Sequence, residues 1–437
     1  MTTPIFDFVK SYSESKSTRF HMPGHKGVGE LGCEKYDITE ILGADVLYSA
    51  DGIISESENI LTSIYGTAHS FYSTEGSTLC IKAMLALVSQ RIGDDRPLIL
   101  AARNVHASFV RAAALLDLDV EWIYPESEGH LCECKITAEQ VRENILSAER
   151  KPCAVYLTSP DYLGNILDVR AIADVCREKG VPLLVDNAHG AYLKFLPEDM
   201  HPISLGAAMC ADSAHKTLPV LTGGAYLHIS PDYPEYAERA RDALSLFAST
   251  SPSYLTLCSL DLCNKRLMKD YPEKITALVA KSVEIKTKLA FLGYDVSDTE
   301  PLKIVIRAAD SLASRLREQG IEVEYSDREY TVLMLTPENT ESDFDRLLDA
   351  LSRLKTEQVG VKNILSPKPH HREMSIRSAV FAPSERIFAE NAAGRICAAP
   401  TVSCPPAVPI VISGERISEE DIALFKHYGI EAVSVVK

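Results

Sequence analysis

Short apolar runs alternate with longer amphipathic stretches through the middle of the chain. Six runs have the length and the bounding turns of buried strands in a mainly parallel sheet: 97–101, 120–124, 154–158, 182–185, 207–210 and 225–229. Helical stretches lie between them, among them 79–88 and 169–179, the second of which ends at Gly180 as a helix C-cap would. This alternation predicts an α/β core of three layers.

The pattern changes after a helix predicted at 254–269. Five shorter segments then predict a β-α-β-β-α order, typical of a small α+β unit with local strand pairing: 304–307, 311–318, 323–325, 331–336 and 341–354. The first 60 residues have little periodicity and predict an arm plus irregular structure. We therefore expect an N-terminal segment at 1–60, a large α/β domain at 61–270, and a small C-terminal α+β domain at 271–437.

The composition indicates a globular protein and argues against nucleic-acid-binding and membrane-spanning classes. The 437 residues are 46% hydrophobic and 24% charged, as in ordinary globular proteins. Lys and Arg total 45 against 61 Asp and Glu, and the resulting net charge of −16 repels polyanions and argues against a nucleic-acid partner. No apolar run approaches the roughly 18 residues of a membrane span, and the first residues do not resemble a signal peptide.

The cysteines indicate a reducing compartment. The 11 Cys are odd in number and scattered, mostly inside apolar runs, which predicts buried thiols in a cytoplasmic protein. Cys132 and Cys134 form an isolated Cys-x-Cys with no second pair at metal-ligand spacing. The sequence therefore predicts no metal site.

A lysine follows one of the predicted strands in the segment Ala211-Asp-Ser-Ala-His-Lys-Thr217. Burying an ammonium is costly, and desolvation lowers the pKa of a lysine, which makes its amine competent to form a Schiff base. Lys216 is thus a candidate for covalent catalysis. A solvated surface lysine is the alternative when this segment is taken alone.

An aspartate ends the preceding predicted strand, in Leu183-Leu-Val-Asp-Asn-Ala-His-Gly190. Open α/β sheets bind ligands at the carboxyl ends of their strands, where Asp186 would lie. A carboxylate paired with a downstream lysine is what pyridoxal 5′-phosphate (PLP) requires, because the carboxylate keeps the pyridine nitrogen protonated while the lysine holds the aldehyde carbon. Asp186 could equally cap a helix N-terminus.

Two further motifs fit the same cofactor. Ser73-Thr-Glu-Gly-Ser-Thr78 opens the apolar helix, so that Gly76 permits close backbone approach while hydroxyls and free N–H groups face a phosphate. His106 follows another predicted strand, where its ring could stack on a planar cofactor, although a lone histidine is more often structural. The order phosphate loop, stacking His, Asp and Lys on successive βα units points to a PLP enzyme of the aspartate-aminotransferase fold.

Several motifs together resemble the Orn/Lys/Arg decarboxylase family. They extend over nearly the whole chain: Arg19-Phe-His-Met-Pro-Gly-His-Lys-Gly27, Asp37-Ile-Thr-Glu40, Gly76-Ser-Thr78, Asp186-Asn-Ala-His-Gly190, Ser213-Ala-His-Lys216, Ala393-Gly-Arg-Ile396, Pro405-Pro-Ala-Val-Pro409 and Ser413-Gly-Glu415. The chain is similar to the compact bacterial members, which lack the receiver-like N-terminal domain of the large inducible enzymes. The resemblance implies a fold-type I PLP enzyme with a mainly parallel seven-stranded sheet in its large domain.

The resemblance also implies roles for individual residues. Lys216 would carry the cofactor, Asp186 would pair with its pyridine nitrogen, and His106 would stack on its ring. His215 would bind the phosphate and return a proton to the substrate carbon after CO₂ leaves. The remaining implied cofactor contacts are Gly76, Ser77, Thr78, His189 and Ser213.

The implied reaction is decarboxylation of arginine, lysine or ornithine to an amine of polyamine metabolism, with the substrate left open among the three. The implied assembly is a homodimer or a dimer-based oligomer, with the site at the interface and the His21–Lys26 segment serving a neighbouring subunit. Two alternatives remain: an aminotransferase or lyase of the same fold, in which an arginine among Arg377, Arg386 and Arg395 would clamp the substrate carboxylate, and a non-catalytic regulatory homologue.

Overall fold

The computed structural model describes residues 2–89, 96–126, 129–308, 311–354, 368–400 and 407–437. The α-helices, in chain order, are α1 (Pro4–Glu14), α2 (Ile53–Tyr65), α3 (Gly76–Val88), α4 (Ala107–Leu116), α5 (Ala138–Ser147), α6 (Val169–Lys179), α7 (Ala214–Thr217), α8 (Ala237–Ser245), α9 (Tyr254–Lys269), α10 (Tyr271–Phe291), α11 (Ser311–Glu318), α12 (Glu341–Arg353), α13 (Ile376–Phe381) and α14 (Glu419–His427). Short 3₁₀ helices lie at Glu34–Tyr36, Leu47–Ser49, Ala191–Phe195, Pro234–Tyr236 and Ala389–Asn391.

The strands, in chain order, are β1 (His69–Ser73), β2 (Leu98–Ala102), β3 (Asp119–Ile123), β4 (Ala154–Thr158), β5 (Leu183–Asp186), β6 (Met209–Asp212), β7 (Ala225–Ile229), β8 (Asp295–Val296), β9 (Lys303–Arg307), β10 (Tyr325–Ser326), β11 (Tyr330–Met334), β12 (Ser384–Phe388) and β13 (Ala432–Val436). The main sheet has the strand order β1-β7-β6-β5-β4-β2-β3. Strand β7 runs antiparallel to β1 and β6, whereas β2 pairs with β3 and β4, and β5 with β6, in parallel. The predicted mainly parallel seven-stranded sheet is confirmed.

Helices α6 and α9 have the bounds that the sequence predicts. Helix α6 ends at Gly180, which adopts the left-handed conformation (φ +62°), and α9 begins after Ser253, whose side chain accepts a hydrogen bond from the Thr256 backbone N–H. Strand β6 lies two residues beyond its predicted position, because it includes the buried but charged Asp212. The sequence pattern did not predict β1, whose polar residues are nevertheless almost all buried.

The small α+β unit is also confirmed, since β9-α11-β10-β11-α12 follows the predicted order. Its antiparallel sheet has the order β10-β11-β9-β8. Near the C-terminus, β12 pairs antiparallel with β13. Residues 366–367 and 404–406, which belong to the two proline-rich stretches, lie outside the described residues.

The prediction of irregular structure over the first 60 residues is wrong at both ends of that segment. Helix α1 begins with Pro4 in its first turn, where the missing N–H is tolerated, and buries Ile5 and Val9 on one face. Helix α2 ends at Gly66 in the left-handed conformation (φ +69°). Apolar pairs recur at helical spacing in both segments, for example Ile5-Phe6 and Phe8-Val9 in α1 and Ile53-Ile54 and Ile60-Leu61 in α2, so the sequence carried a helical signal that the prediction missed.

The chain divides into two compact units. The first unit comprises Met1–Val88 and Pro182–Ile275, and the second comprises Ser89–Val181 and Thr276–Lys437. Each unit contains buried aromatic and aliphatic residues, including Tyr72 and Tyr226 in the first and Phe109 and Tyr156 in the second. The domain boundaries at residues 60 and 270 stay a prediction. Among the described residues, no helix combines the length and apolarity needed to cross a membrane.

Candidate active site

Two neighbouring strands of the first unit end in carboxylates. Asp186 is the last residue of β5 and Asp212 the last of β6, and the two strands pair in parallel with Asp186 opposite Ala211. Helix α7 follows β6 and carries Lys216. Because parallel strands present their carboxyl ends at one edge of the sheet, the loops that carry Asp186 and Lys216 leave that edge side by side.

The Lys216 amine lies against an imidazole. Lys216 Nζ is 3.0 Å from His189 Nε2, a distance at which the amine donates a hydrogen bond to a neutral ring. A tight turn brings His189 there, since the Ala188 N–H donates to Asp186 Oδ1 (3.2 Å) and the Gly190 N–H to the Asn187 carbonyl (2.8 Å). His189 is therefore placed to influence the protonation of the amine.

His215 also has a defined orientation. Its Nδ1 lies 3.0 Å from the Gly224 carbonyl, an acceptor that requires the proton to sit on Nδ1. Burial lowers the pKa of His215, and the Lys216 charge acts in the same direction. The ring is thus neutral at pH 7, with Nε2 as its acceptor atom, and must first gain a proton before it can act as an acid.

The predicted phosphate loop forms the N-terminus of α3, a helix of 13 residues. Ser213 Oγ donates to Ser77 Oγ at 2.8 Å, which joins this helix to the loop after β6. Ser73 Oγ accepts from the Glu75 N–H (3.1 Å) and donates to the Gly76 carbonyl (3.1 Å), so it stabilises the turn. Hydroxyls and a helix N-terminus together suit an anion.

Two glycines hold this loop. Gly76 has φ +72°, a region that L side chains rarely adopt, and its N–H donates to the Gly223 carbonyl at 2.7 Å. Gly223 has φ +94°, and a Cβ there would lie 2.7 Å from the Thr74 carbonyl oxygen. A side chain at residue 223 would therefore displace the backbone beside the phosphate loop.

His106 belongs to the second unit, whereas the other predicted site residues belong to the first. It is the N-cap of α4, where its Nδ1 accepts from the Ser108 N–H at 3.1 Å and lies 2.7 Å from Ser108 Oγ. Its ring is thereby fixed with the proton on Nε2. The stacking role of His106 stays a prediction.

These donors fit PLP. The Ser77 and Ser213 hydroxyls at the start of α3 suit its phosphate, the buried Asp186 carboxylate suits a protonated pyridine nitrogen, and the half-buried Lys216 amine suits its aldehyde. All four belong to the first unit. Sequence reasoning missed the contact between Asn187 and Asp212, in which the Asn187 amide donates a hydrogen bond to Asp212 Oδ1 at 2.7 Å. The signal that could have indicated it is the position of Asp212, a charged residue at the end of an apolar run and directly before Ser213.

Comparison with known proteins identifies the family. The sequence profile of "Orn/Lys/Arg decarboxylase, major domain" matches residues 3–307. An arginine decarboxylase of Bacillus subtilis (strain 168) is 29% identical over 97% of this chain and 93% of that protein. An arginine decarboxylase of Halalkalibacterium halodurans is 30% identical, with the same coverage.

Solved structures identify the fold. A lysine decarboxylase of Francisella novicida superposes with a TM-score of 0.83 at 18% identity, over 100% of this chain and 81% of that one. Serine palmitoyltransferase and a NifS-like protein are further structural neighbours, and the fold is that of the fold-type I PLP enzymes. The profile match covers most of the chain and both arginine decarboxylases align along nearly all of it, so the chain belongs to the Orn/Lys/Arg decarboxylase family, a family of PLP-dependent carboxy-lyases.

Proposed function

We propose that the protein binds PLP and decarboxylates a basic amino acid, arginine, lysine or ornithine, to an amine of polyamine metabolism. The observation that carries this proposal is the pairing of Asp186 and Lys216 on adjacent loops after β5 and β6, with a phosphate-type loop at the start of α3 in the same unit. The names of the aligned arginine decarboxylases support a basic substrate.

Each site residue has a physical task in this proposal. When bound, PLP supplies an electron sink for the pair of electrons that CO₂ leaves behind. Asp186, at 2% exposure, would keep a positive charge on the pyridine nitrogen, and its low exposure would strengthen that interaction. Ser77 and Ser213 would hold the phosphate and so anchor the cofactor at the start of α3.

Protons are handled by two histidines. Lys216 must lose a proton before its amine can act as a nucleophile, and His189 Nε2, 3.0 Å away, is an acceptor for it. His215 is neutral in the structure and would return a proton to the substrate carbon only after taking one up, with Nδ1 held by the Gly224 carbonyl. The two rings would therefore act at different steps.

We further propose that two copies of the chain associate through the N-terminal segment. Five large apolar side chains there are at least 70% exposed, which is costly on a free surface: Phe20, Met22, Val28, Leu31 and Leu42. His21 and Lys26 lie within the same segment, where Lys26 Nζ donates to the His21 carbonyl at 2.6 Å. A cytoplasmic location is supported by cysteines that are buried and reduced, among them Cys80, Cys132, Cys134, Cys176, Cys210 and Cys258.

A substrate panel tests the proposed reaction. Purified protein with added PLP is incubated separately with arginine, lysine and ornithine, and amine and CO₂ are quantified by mass spectrometry. We expect one amine to form with an equal amount of CO₂. Borohydride reduction should fix PLP on the Lys216 peptide.

Matched lysine variants give the control. Lys216→Ala should abolish amine formation, whereas Lys274→Ala, which removes a surface lysine paired with Asp270, should retain it. No amine from any of the three substrates, despite PLP fixed on Lys216, would refute decarboxylation of basic amino acids. Keto-acid product would instead indicate an aminotransferase.

The structure bears on that alternative. Arg377 Nη1 donates to the Ala114 and Leu115 carbonyls, at 3.1 Å each, and Arg395 Nη2 donates to Glu385 at 2.8 Å. Both guanidinium groups are thus engaged within the second unit. Arg386 lies on the exposed strand β12. These contacts disfavour Arg377 and Arg395 as clamps for a substrate carboxylate.

A further inference from the structure

A fully buried polar cluster lies at the ends of β5 and β6, and the proposed chemistry does not use it. We call it the strand-end cluster; its members all have 0% exposure and are Asn187, His201, Cys210, Asp212 and His228. Asp212 is its centre. Asn187 Nδ2 donates to Asp212 Oδ1 at 2.7 Å, and His201 Nε2 lies 3.0 Å from Oδ2.

Two other side chains complete the surroundings of this carboxylate. His228 Nε2 is 3.4 Å from Asp212 Oδ2, and Cys210 Sγ donates to Oδ1 at 3.6 Å. His228 is itself held from its other side, where Nδ1 lies 2.7 Å from Ser70 Oγ. Asn187, His201 and Cys210 thus lie at hydrogen-bonding distance from the Asp212 carboxylate, and the His228 ring faces Oδ2 at a longer distance without a hydrogen bond.

The charge on Asp212 is kept in spite of burial. Desolvation acts to raise its pKa, but His201 and His228 outweigh it and hold the pKa well below the usual range. Taking a carboxylate out of water is expensive, and replacing such a group by apolar residues is often neutral or stabilising. A buried anion with this many partners therefore calls for a role beyond stability.

Its position in the chain indicates that role. Asn187 directly follows Asp186, and Asp212 directly precedes Ser213 and the helix that carries Lys216. The Asn187 N–H also donates to the Ala211 carbonyl at 3.0 Å. One carboxylate thus joins the loop that would hold the pyridine end of PLP to the loop that would hold its aldehyde and phosphate ends.

We propose that Asp212 is a positioning residue, which fixes the separation of the Asp186 loop and the Ser213–Lys216 loop through its hydrogen bond with Asn187. This inference rests on the proposed PLP function. The PLP ring is rigid, so Asp186 and Lys216 would have to contact it at the same time. If the two loops are already held at the right separation in the free protein, less conformational entropy is lost when PLP binds. Asp212 itself touches neither the cofactor nor the substrate in this account.

A metal ion is the competing explanation for the same residues. The donor atoms of His201, Cys210 and Asp212 lie within 4.8 Å of one another, and zinc binds all three residue types. Zinc ligation through His201 Nε2 and Asp212 Oδ2 would use the atoms that already face each other at 3.0 Å. The other oxygen of the carboxylate, Asp212 Oδ1, accepts a hydrogen bond from Asn187, and an asparagine amide is not among the usual zinc ligands. A zinc site therefore does not account for the Asn187 contact. Metal content is therefore an outcome of the test.

The test compares Asp212→Asn and Asn187→Ala with Asp261→Asn. Asp261 is a second carboxylate of the first unit with 0% exposure, and it bonds to Ser57 and the Phe6 N–H instead. Hydrogen exchange of residues 186–190 and 212–217 is measured by mass spectrometry on protein stripped of PLP. PLP affinity is then measured by absorbance titration, and the metal content by elemental analysis.

We expect Asp212→Asn to speed exchange in both loops at least tenfold and to weaken PLP binding at least tenfold. Asn187→Ala should act in the same direction, and it carries the test if Asp212→Asn does not fold. Asp261→Asn should leave both quantities within twofold of the wild type, even where it lowers the unfolding temperature.

Two results would overturn the proposal. One is exchange and PLP affinity within twofold of the wild type in both Asp212→Asn and Asn187→Ala. The other is one equivalent of zinc in the wild type that Asp212→Asn loses. A wild type that binds no PLP would refute the proposed function, while the exchange data on the stripped protein would still decide whether Asp212 orders the two loops.

Discussion

Asp212 and Asp261 are both fully buried carboxylates of the same unit, yet their surroundings differ in one respect. Asp212 faces two imidazoles, whereas Asp261 accepts from the Ser57 hydroxyl at 2.6 Å and from the Phe6 N–H at 2.9 Å. Burial raises the pKa of Asp261 to about 6, because these neutral donors offset only part of the desolvation. The histidines reverse that direction for Asp212.

The difference separates two uses of a buried carboxylate. Asp261 connects α9 to α2 through Ser57 and to α1 through Phe6, so it anchors helices at the cost of a poorly stabilised charge. Asp212 connects loops after two strands and remains ionised. Dipoles are sufficient to hold chain segments together, but keeping a full charge in the interior requires a group that can carry the opposite charge.

The largest expected effect is on folding stability. Asp212→Ala leaves the His201 and Asn187 donors buried without their acceptor, and we expect a loss of about 3–5 kcal/mol in the free energy of unfolding. Asp261→Ala removes hydrogen bonds to neutral donors and should cost about 1–3 kcal/mol. Urea unfolding at pH 7.5 measures both. Equal losses, or a greater loss for Asp261→Ala, would contradict the comparison.

The second expectation concerns pH. The pKa of Asp261 is about 6 in the folded chain against about 3.9 unfolded, so the folded state binds this proton more tightly. Its contribution to stability is therefore present below about pH 4 and is lost as pH rises to 6, a change of about 2–3 kcal/mol. Asp261→Asn removes this dependence, which urea unfolding at pH 4.5 and 7 detects.

Asp212→Asn supplies the contrast for that measurement. Its lowered pKa means that its contribution is present above about pH 4 and is lost only as pH falls further. The stability difference between Asp212→Asn and the wild type should therefore shrink as pH falls below about 4, whereas the difference for Asp261→Asn shrinks as pH rises. A difference that does not shrink as the pH falls below about 4, measured by urea unfolding, would show that the pKa of Asp212 is not lowered.

The smallest effects should separate the two histidines. His201→Gln removes the 3.0 Å contact and should lower the free energy of unfolding by about 1.5–3 kcal/mol, as for a hydrogen bond to a charged group. His228→Gln alters a longer contact of 3.4 Å and should cost about 1 kcal/mol. The reverse order, measured by urea unfolding at pH 7.5, would make His228 the main partner of Asp212.

The sequence predicted elements where local signals coincide. Helices α6 and α9 have a clear start or stop residue, and their bounds are as predicted. Strand β1 was not predicted because its polar side chains find partners on other elements: the Tyr72 hydroxyl lies 2.7 Å from Ser57 Oγ, and Ser70 Oγ lies 2.7 Å from His228 Nδ1. Burial that depends on such pairings leaves no periodic trace along the chain.

The candidate site shows the same division. The order of Gly76, Asp186 and Lys216 could be predicted, since each motif directly follows or begins an element. The contact between Lys216 and His189 and that between Asn187 and Asp212 could not, because each joins residues at least 25 positions apart in the chain. For the same reason, β6 was placed two residues early, at the point where a charge enters the interior.

Cys210 gives the strand-end cluster a natural chemical label. Cys33 and Cys153 are half-buried, whereas Cys210 and the other described cysteines are buried, and desolvation together with Asp212 raises the pKa of the Cys210 thiol well above its usual value. A thiol reagent can reach it only while the surrounding sheet is transiently open. The rate at which Cys210 is alkylated, relative to the rate for Cys33, therefore measures how often this part of the interior opens to solvent. The measurement needs no introduced probe, because both thiols belong to the chain.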